Sequence, residues 1–270
     1  MSESTAPAVA ANRRDALKGY VALVAIFVWV VVLVPPFSGW AHRFGYVQAI
    51  QFGLFNSWIP AGLVIGAPWR LFAPRESSRD VTGAGVRNAV QRLLDGVVER
   101  RSGGLSYRRA VSEVFAFVVL VIFWRTTPVV DVLVRHEWLT VVESVTLVVA
   151  GVPLWLDLIE SRPFRPGTTR PFRIGMSAIS MWTVWVVAYI LAMSNDVWYR
   201  AFHYVGAGAG WQSTDQQLTA AVMWFFAGVA FIPVVFWNLN QWLRAEDDPS
   251  EELYKLVRQE RHRGFFGTKS

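Results

Sequence analysis

Between Trp138 and Leu156 the chain carries one ionisable side chain, Glu143, set among valines and leucines. A carboxylate there can relay a proton, ligate a cation or pair with a base on a neighbouring helix. If the segment lies in a bilayer, the charge costs about 2.5–3.5 kcal/mol unless a partner or a wet cavity compensates it. A helical rise of about 1.5 Å per residue puts Glu143 roughly 7–8 Å below Trp138, within reach of Arg125 or Arg135 across a helix contact. Glu113 and Asp157 are the other acids at span boundaries, and Asp157, near a span end, asks for no special account.

Imidazoles and thioethers are the remaining chemistry-bearing groups. His42, His136 and His203 fall on one side of the expected spans, with Met193 and Met223 near the same face, while His262 sits in the tail. A copper or haem site needs several such ligands converging. His136, His203, Met193 and Met223 are the outer-face candidates for copper, although no two His stand three or four residues apart on one helix. No span contains a His, which disfavours haem ligation inside the bilayer. The chain has no Cys, excluding disulfides, thiolate ligands and a Cys nucleophile. No nucleophile elbow occurs, and the glycines of GAGAGWQSTDQ follow no strand. No catalytic set emerges, so no enzyme and no bound cofactor are expected.

The elements that hold these residues are long apolar runs. Residues 19–41, 44–69, 174–195 and 216–243 contain no Asp, Glu, Lys or Arg, and each exceeds the roughly 20 residues that cross a hydrocarbon core. Residues 138–157 make a further span around Glu143. A sixth, about 110–130, is poorer, because Glu113 and Arg125 leave eleven uncharged residues between them; snorkelling of Arg125 would make it tolerable. The expected fold is therefore all-α, a polytopic transmembrane bundle of about six spans.

Loop charge orients the bundle. Three basic residues near the start, nine in 70–109, four in 158–173 and six in the tail share one side, leaving only Arg43, Arg125, Arg135 and Arg200 on the other. The positive-inside rule then puts both termini in the cytoplasm, and an Arg-rich composition points to a bacterial plasma membrane. The net charge of +6 is met by orientation and anionic lipid, with no nucleic acid needed. Residues 1–18 read as a disordered N-terminus, residues 19–243 as the membrane domain, and 244–270 as a charged tail. Arg13-Arg14 reads as ordinary charge before an uncleaved anchor rather than a twin-arginine signal. Val86, Val90, Leu93, Leu94, Val97 and Val98 share one helical face of the 70–109 loop, suited to the membrane surface or to a partner. In the tail, Asp248, Pro249 and Glu251 open a short helix. Trp40, Trp138, Trp198, Trp211, Trp69 and Trp242 suit interfacial belts, while Trp29, Trp58, Trp182, Trp185, Trp224 and Trp237 lie deeper, packing or lining a pocket.

Three stretches carry a family resemblance. QAIQFGLFNSWIPAGLVIGAP, residues 48–68, is similar to a span of the form HMxQHLLLxxxAPPLLxLGAP. WRTTPVVDVLVRHEWLTVVESVTLVVAG, residues 124–151, resembles WHLPxLYDAALRNExLHxxEHLxFLLAG. DQQLTAAVMW, residues 215–224, resembles DQxLAGxxMW. These are motifs of the polytopic bacterial cytochrome c oxidase assembly factors called CtaG, distinct from the single-span copper chaperone of that name. Order and spacing agree over about residues 45–245. Gln51, Trp124, Asp131, Arg135, Glu143, Gly151, Asp215, Gln216, Met223 and Trp224 match. Where the family has His, this chain has Gln48, Phe52, Arg125, Thr140 and Ser144, and a seventh, N-terminal span associated with the family is not seen. The resemblance implies a kept helical frame without the imidazoles that could hold copper, with Thr140 and Ser144 positioned to hydrogen-bond Glu143 instead.

The resemblance thus implies a non-catalytic membrane assembly factor or accessory subunit, with membrane lipid and haem-copper oxidase subunits as partners. The alternative is a small proton-linked transporter or channel in which Glu143, Asn56, Asn238 and Asn240 line a path.

Overall fold

A computed structural model describes residues 6–69, 106–161, 164, 166–202 and 210–244, with side chains from Leu17 onward. The amphipathic stretch 86–98, the tail from Asp248 and His203 lie outside the described residues. Those described are helical almost throughout, with one isolated antiparallel bridge, Ser161 to Phe164, and no strand among them. In chain order the helices are α1 (Ala6–Leu33), α2 (Phe37–Ala41), α3 (Gly45–Gly53), a π-helical turn (Leu54–Trp58) and α4 (Ile59–Gly66). There follow α5 (Tyr107–Arg125), α6 (Thr127–Arg135), α7 (Trp138–Leu158), α8 (Arg170–Met193) and α9 (Trp211–Leu243). The chain runs up α1, down α3 to α4, up α5, down α7, up α8 and down α9. Residues 34–44, 126–137 and 194–202 thus form an upper end, and residues 67–69 and 159–169 a lower one.

The all-α multi-pass fold read from the sequence holds, with a refinement of the span count. Gly45–Gly66, α7, α8 and α9 are long and apolar enough to cross a bilayer, and α5 with α6 qualifies only as a pair bent by 66°. The apolar part of α1, Leu17–Leu33, falls short of that length. Among the described residues four or five spans therefore qualify by length and composition, and about six is the approximate count that includes α1. The helix bounds differ from the expected spans at two places. Helix α1 begins at Ala6, ahead of the expected span start at residue 19, in a stretch whose Ala, Arg, Leu and Lys favour helix. The span expected at 110–130 ends at Arg125, because Thr126 turns extended ahead of Pro128 and α6 leaves at an angle.

Proline decides where these helices break, and side chains from other helices repair the breaks. Pro36 cannot donate to the Val32 carbonyl four residues back, so Gln51 of α3 donates to that oxygen, Nε2 to O at 2.5 Å. Pro68 likewise leaves the Val64 carbonyl open, and the Ser161 hydroxyl donates to it at 2.7 Å. Pro60 stands four residues after Asn56, and the helix passes that point through the π turn. In hydrocarbon an unsatisfied backbone group has no water to turn to, so such cross-helix bonds are obligatory.

The core is aromatic and aliphatic, centred on Phe52, Phe55, Phe117, Leu147, Leu154, Trp155 and Phe231. Trp155 stacks on Phe231 with ring centroids 5.2 Å apart, and Phe117 meets Phe231 edge-on. Outside, Phe27, Phe115, Val149, Phe225 and Phe236 are exposed, a surface suited to acyl chains. Three of the deep tryptophans, Trp58, Trp185 and Trp224, act as clasps between helices. The Trp185 indole donates to the Trp224 carbonyl at 3.1 Å and Trp224 returns the bond to the Trp185 carbonyl at 3.3 Å, locking α8 to α9. Trp58 similarly donates to the Phe226 carbonyl.

Helix α1 docks on α4 through small residues, the mode that packing without a hydrophobic drive favours. A Cβ on Gly62 would lie 2.8 Å from the Ala25 methyl, and one on Gly66 would lie 2.7 Å from the Ala22 Cα. Gly66→Ala is therefore expected to lower the melting midpoint of the detergent-purified protein, at an overpacking cost of about 1–3 kcal/mol. Gly175→Ala, with nothing within 4 Å of its Cβ, should leave the midpoint unchanged or raised. Equal midpoints for the two variants would contradict this packing.

Candidate functional site

Three helices bring the sequence's candidate acid and its surroundings to one point near the upper end. Glu143 on α7, Arg125 at the last residue of α5, and Gln48 and Phe52 one turn apart on α3 are all buried. Arg125 Nη2 donates to Glu143 Oε1 at 2.7 Å, and Nη1 donates to Gln48 Oε1 at 2.5 Å. Gln48 Nε2 closes the triangle, 3.5 Å from each Glu143 oxygen. The guanidinium lies over the Phe52 ring, Cζ 4.1 Å from its centroid, so the same cation is also held by a π face. Both charged side chains have no solvent exposure at all.

Of the two bases within reach of Glu143, Arg125 is the one that pairs. Arg125 does not snorkel as the sequence suggested; its guanidinium turns inward, because a carboxylate, an amide oxygen and an aromatic face await it there. Arg135 stands exposed at the last turn of α6, where a cation favours the helix dipole. Nor do the two hydroxyls hold Glu143. The Ser144 hydroxyl donates back to the Val141 carbonyl of its own helix at 2.8 Å, the local bond that Ser makes in preference to a neighbouring side chain. The Thr140 hydroxyl is buried without a hydrogen bond among the described residues.

The other matched residues form the frame and the cover of this cluster. Trp124 donates to the Thr146 hydroxyl at 3.0 Å, tying α5 to α7 beside the charge pair. Asp215 of α9 caps α3 in trans, its Oδ2 accepting from Gly45 N at 2.8 Å and its Oδ1 from Tyr46 N at 3.2 Å. Gln216 accepts from Trp198 N at 2.8 Å and donates to the Leu191 and Asp196 carbonyls at 3.0 and 3.1 Å. Asp131 accepts from Ala201 N at 3.2 Å. These bonds pull residues 196–202 across the upper end, with Phe202 buried beneath. From that cover Tyr199 donates its hydroxyl to the Arg125 carbonyl at 3.0 Å. Burial, more than any neighbouring charge, pushes the Tyr199 phenol above its ordinary range, so it remains a donor. Gly151 lets α7 close on the π turn, since a Cβ there would lie 2.7 Å from Pro60 Cγ.

The metal candidates occupy unlike environments. Met223 is sealed in the core at 0% exposure, Met193 is 63% exposed at the end of α8, and His136 is exposed after α6. His42 directs Nδ1 to the Ser38 carbonyl at 2.7 Å. Among the described residues no three His, Asp or Glu gather as a metal would require. The buried cluster is itself a poor host for a soft or borderline ion: its donors are one amide, two hydroxyls and a carboxylate already paired with a guanidinium.

One acid that the sequence left without an account is structurally engaged. Asp157 is fully buried at the lower end, 3.4 Å from Arg109 Nη2 and 3.3 Å from Gly167 N, and it anchors the turn between α7 and α8 to α5. Its only signal in sequence was an acid set between Leu156 and Leu158 at the end of a span. Asn238 of α9, a candidate path residue, donates to the Leu158 carbonyl at 3.2 Å and to Val234 at 2.9 Å.

Breaking the pair from one side leaves a buried charge alone, at a cost of about 3–5 kcal/mol. Arg125→Met is expected to lower the melting midpoint sharply, and the double variant Arg125→Met, Glu143→Gln to recover most of that loss. A double-mutant cycle showing no coupling would place the two groups outside one network.

A family model described as cytochrome c oxidase caa3 assembly factor (Caa3_CtaG) matches residues 9–245. Neither a curated protein nor a solved structure matches the chain.

Proposed function

Since this chain belongs to the cytochrome c oxidase caa3 assembly factor family, we propose that it is a non-catalytic assembly factor or accessory subunit that works without a copper site at the family's imidazole positions. It is a multi-pass membrane protein, and its clients in this reading are haem-copper oxidase subunits or a related membrane metalloenzyme complex. One observation carries the reading. Gln48, Phe52, Arg125, Thr140 and Ser144, which stand where the resembled motifs have His, are all buried around Glu143, and Arg125 supplies the positive charge there. A cation entering this cluster would meet a guanidinium 2.7 Å from the only carboxylate. Copper therefore does not fit these residues.

What the bundle offers a client is surface and rigidity. Lipid-exposed faces of α5, α8 and α9 carry large apolar side chains on helices held to their neighbours by the bonds described above. The lower end, with the basic loops, faces the cytoplasm in this reading, and the cover over Arg125 faces the other side. The proton-linked transporter or channel is the weaker reading, because Glu143 is tied to two partners and Asn238 to two carbonyls.

Purification in mild detergent is expected to bring down oxidase subunits, and a strain lacking the protein to accumulate less assembled oxidase. Recovery of the bundle with a different complex alone would overturn the client assignment. Titration with Cu(I) under a competing chelator should show no stoichiometric uptake, unchanged by His136→Ala. A tightly held copper ion would remove the claim of a copper-free frame. A reporter inserted in the 70–109 loop should read out in the cytoplasm, and liposomes containing the protein should show no proton flux that Glu143→Gln abolishes.

A further inference from the structure

At the lower end, where α7 finishes, α8 begins and α9 makes its last turns, the helices part around a cavity of about 340 Å³. Its lining is mixed: Arg170, Arg173 and Glu160, the amides Asn238 and Gln241, and apolar Leu158, Ile159 and Trp237. The two guanidiniums differ in their engagement. Arg173 is nearly buried, and its Nε and Nη2 both donate to the Thr168 carbonyl at 3.1 and 2.9 Å, which fixes its plane. Its Nη1 is 3.3 Å from Glu160 Oε1, and the Glu160 side chain is 70% exposed. Arg170 uses Nη1 on the Gln241 carbonyl at 3.0 Å. The rim residue Trp237 is 62% exposed on the outward face of α9.

We propose that this cavity binds the phosphodiester headgroup of an anionic phospholipid. Depth argues for it: Arg170 is the first residue of a membrane-crossing helix and Gln241 lies within the last turn of another, so the cavity sits at headgroup level. Charge argues for it, since Arg170 and Arg173 together outweigh Glu160, and a guanidinium is a strong donor to phosphate oxygens. Shape argues for it as well. The cavity opens beside an exposed indole, a side chain suited to the bilayer interface, so an acyl chain can leave along α9 while the phosphate stays between the arginines. A soluble phosphate ester would share the first two features and gain nothing from the third. The assignment requires that the helices span a bilayer but not that the client is an oxidase, so the two readings fail separately.

The test uses the full chain, stripped of lipid in a neutral detergent and supplied with phosphatidylglycerol, phosphatidylcholine or inorganic phosphate. Native mass spectrometry and the melting midpoint are the readouts. Phosphatidylglycerol should bind and raise the midpoint, phosphatidylcholine and phosphate should not, and Arg170→Gln should weaken retention about fivefold, the worth of one basic side chain at an anionic surface. Glu160→Gln, which removes the negative charge from the cavity wall, should strengthen retention of phosphatidylglycerol. Equal response to the two lipids, full stabilisation by inorganic phosphate alone, or indifference to both substitutions would each overturn the proposal.

Discussion

A charge that cannot reach water must meet its opposite, and the upper half of this bundle is arranged around one such meeting. Arg125 and Glu143 are both fully buried near the upper end, where either alone would carry a penalty of several kcal/mol. Pairing relieves most of that, yet a guanidinium has more donors than one carboxylate can take. Gln48 accepts a second bond and the Phe52 face takes part of the remaining field. The helices that deliver these groups are therefore fixed relative to one another in rotation as well as in distance.

The shared motif residues fall into place around that constraint. Asp215, Gln216 and Asp131 have side chains capable of catalysis, but each is committed to backbone N–H groups that hold the α3 start or the 196–202 segment. Gln51 serves a carbonyl that Pro36 leaves open. In the proposed reading these groups are the frame shared with the resembled motifs, and the groups facing its centre are the ones that differ; helix positions rather than a reacting atom are then what a client would meet.

Much of this was legible from residue order alone. Uncharged runs located most of the long helices to within a few residues, because a bilayer imposes length and polarity so strongly. Glu143 was visible as a lone acid in an apolar run, with Arg125 among its two possible partners. Less legible were details that depend on which faces meet. Nothing in one dimension says that Arg125 points inward instead of along the helix to the interface, or that Ser144 turns to its own backbone. The bend after Arg125 was signalled by Thr126-Thr127-Pro128, but long apolar runs mask such breaks. Asp157 passed as an ordinary boundary residue because its partner Arg109 belongs to a loop that reads as cytoplasmic charge.

The inward turn of Arg125 has a bearing on how the chain enters a membrane. Released alone into lipid, α5 would carry an uncompensated guanidinium near one end and would favour staying at the surface or in the insertion machinery. The α5–α7 hairpin, joined through the short α6, is the smallest piece of the chain in which that charge is neutralised. Helix α3 adds Gln48 to that pair, so the earlier part of the chain contributes only neutral groups, an amide and an aromatic face, to charges already matched within the hairpin.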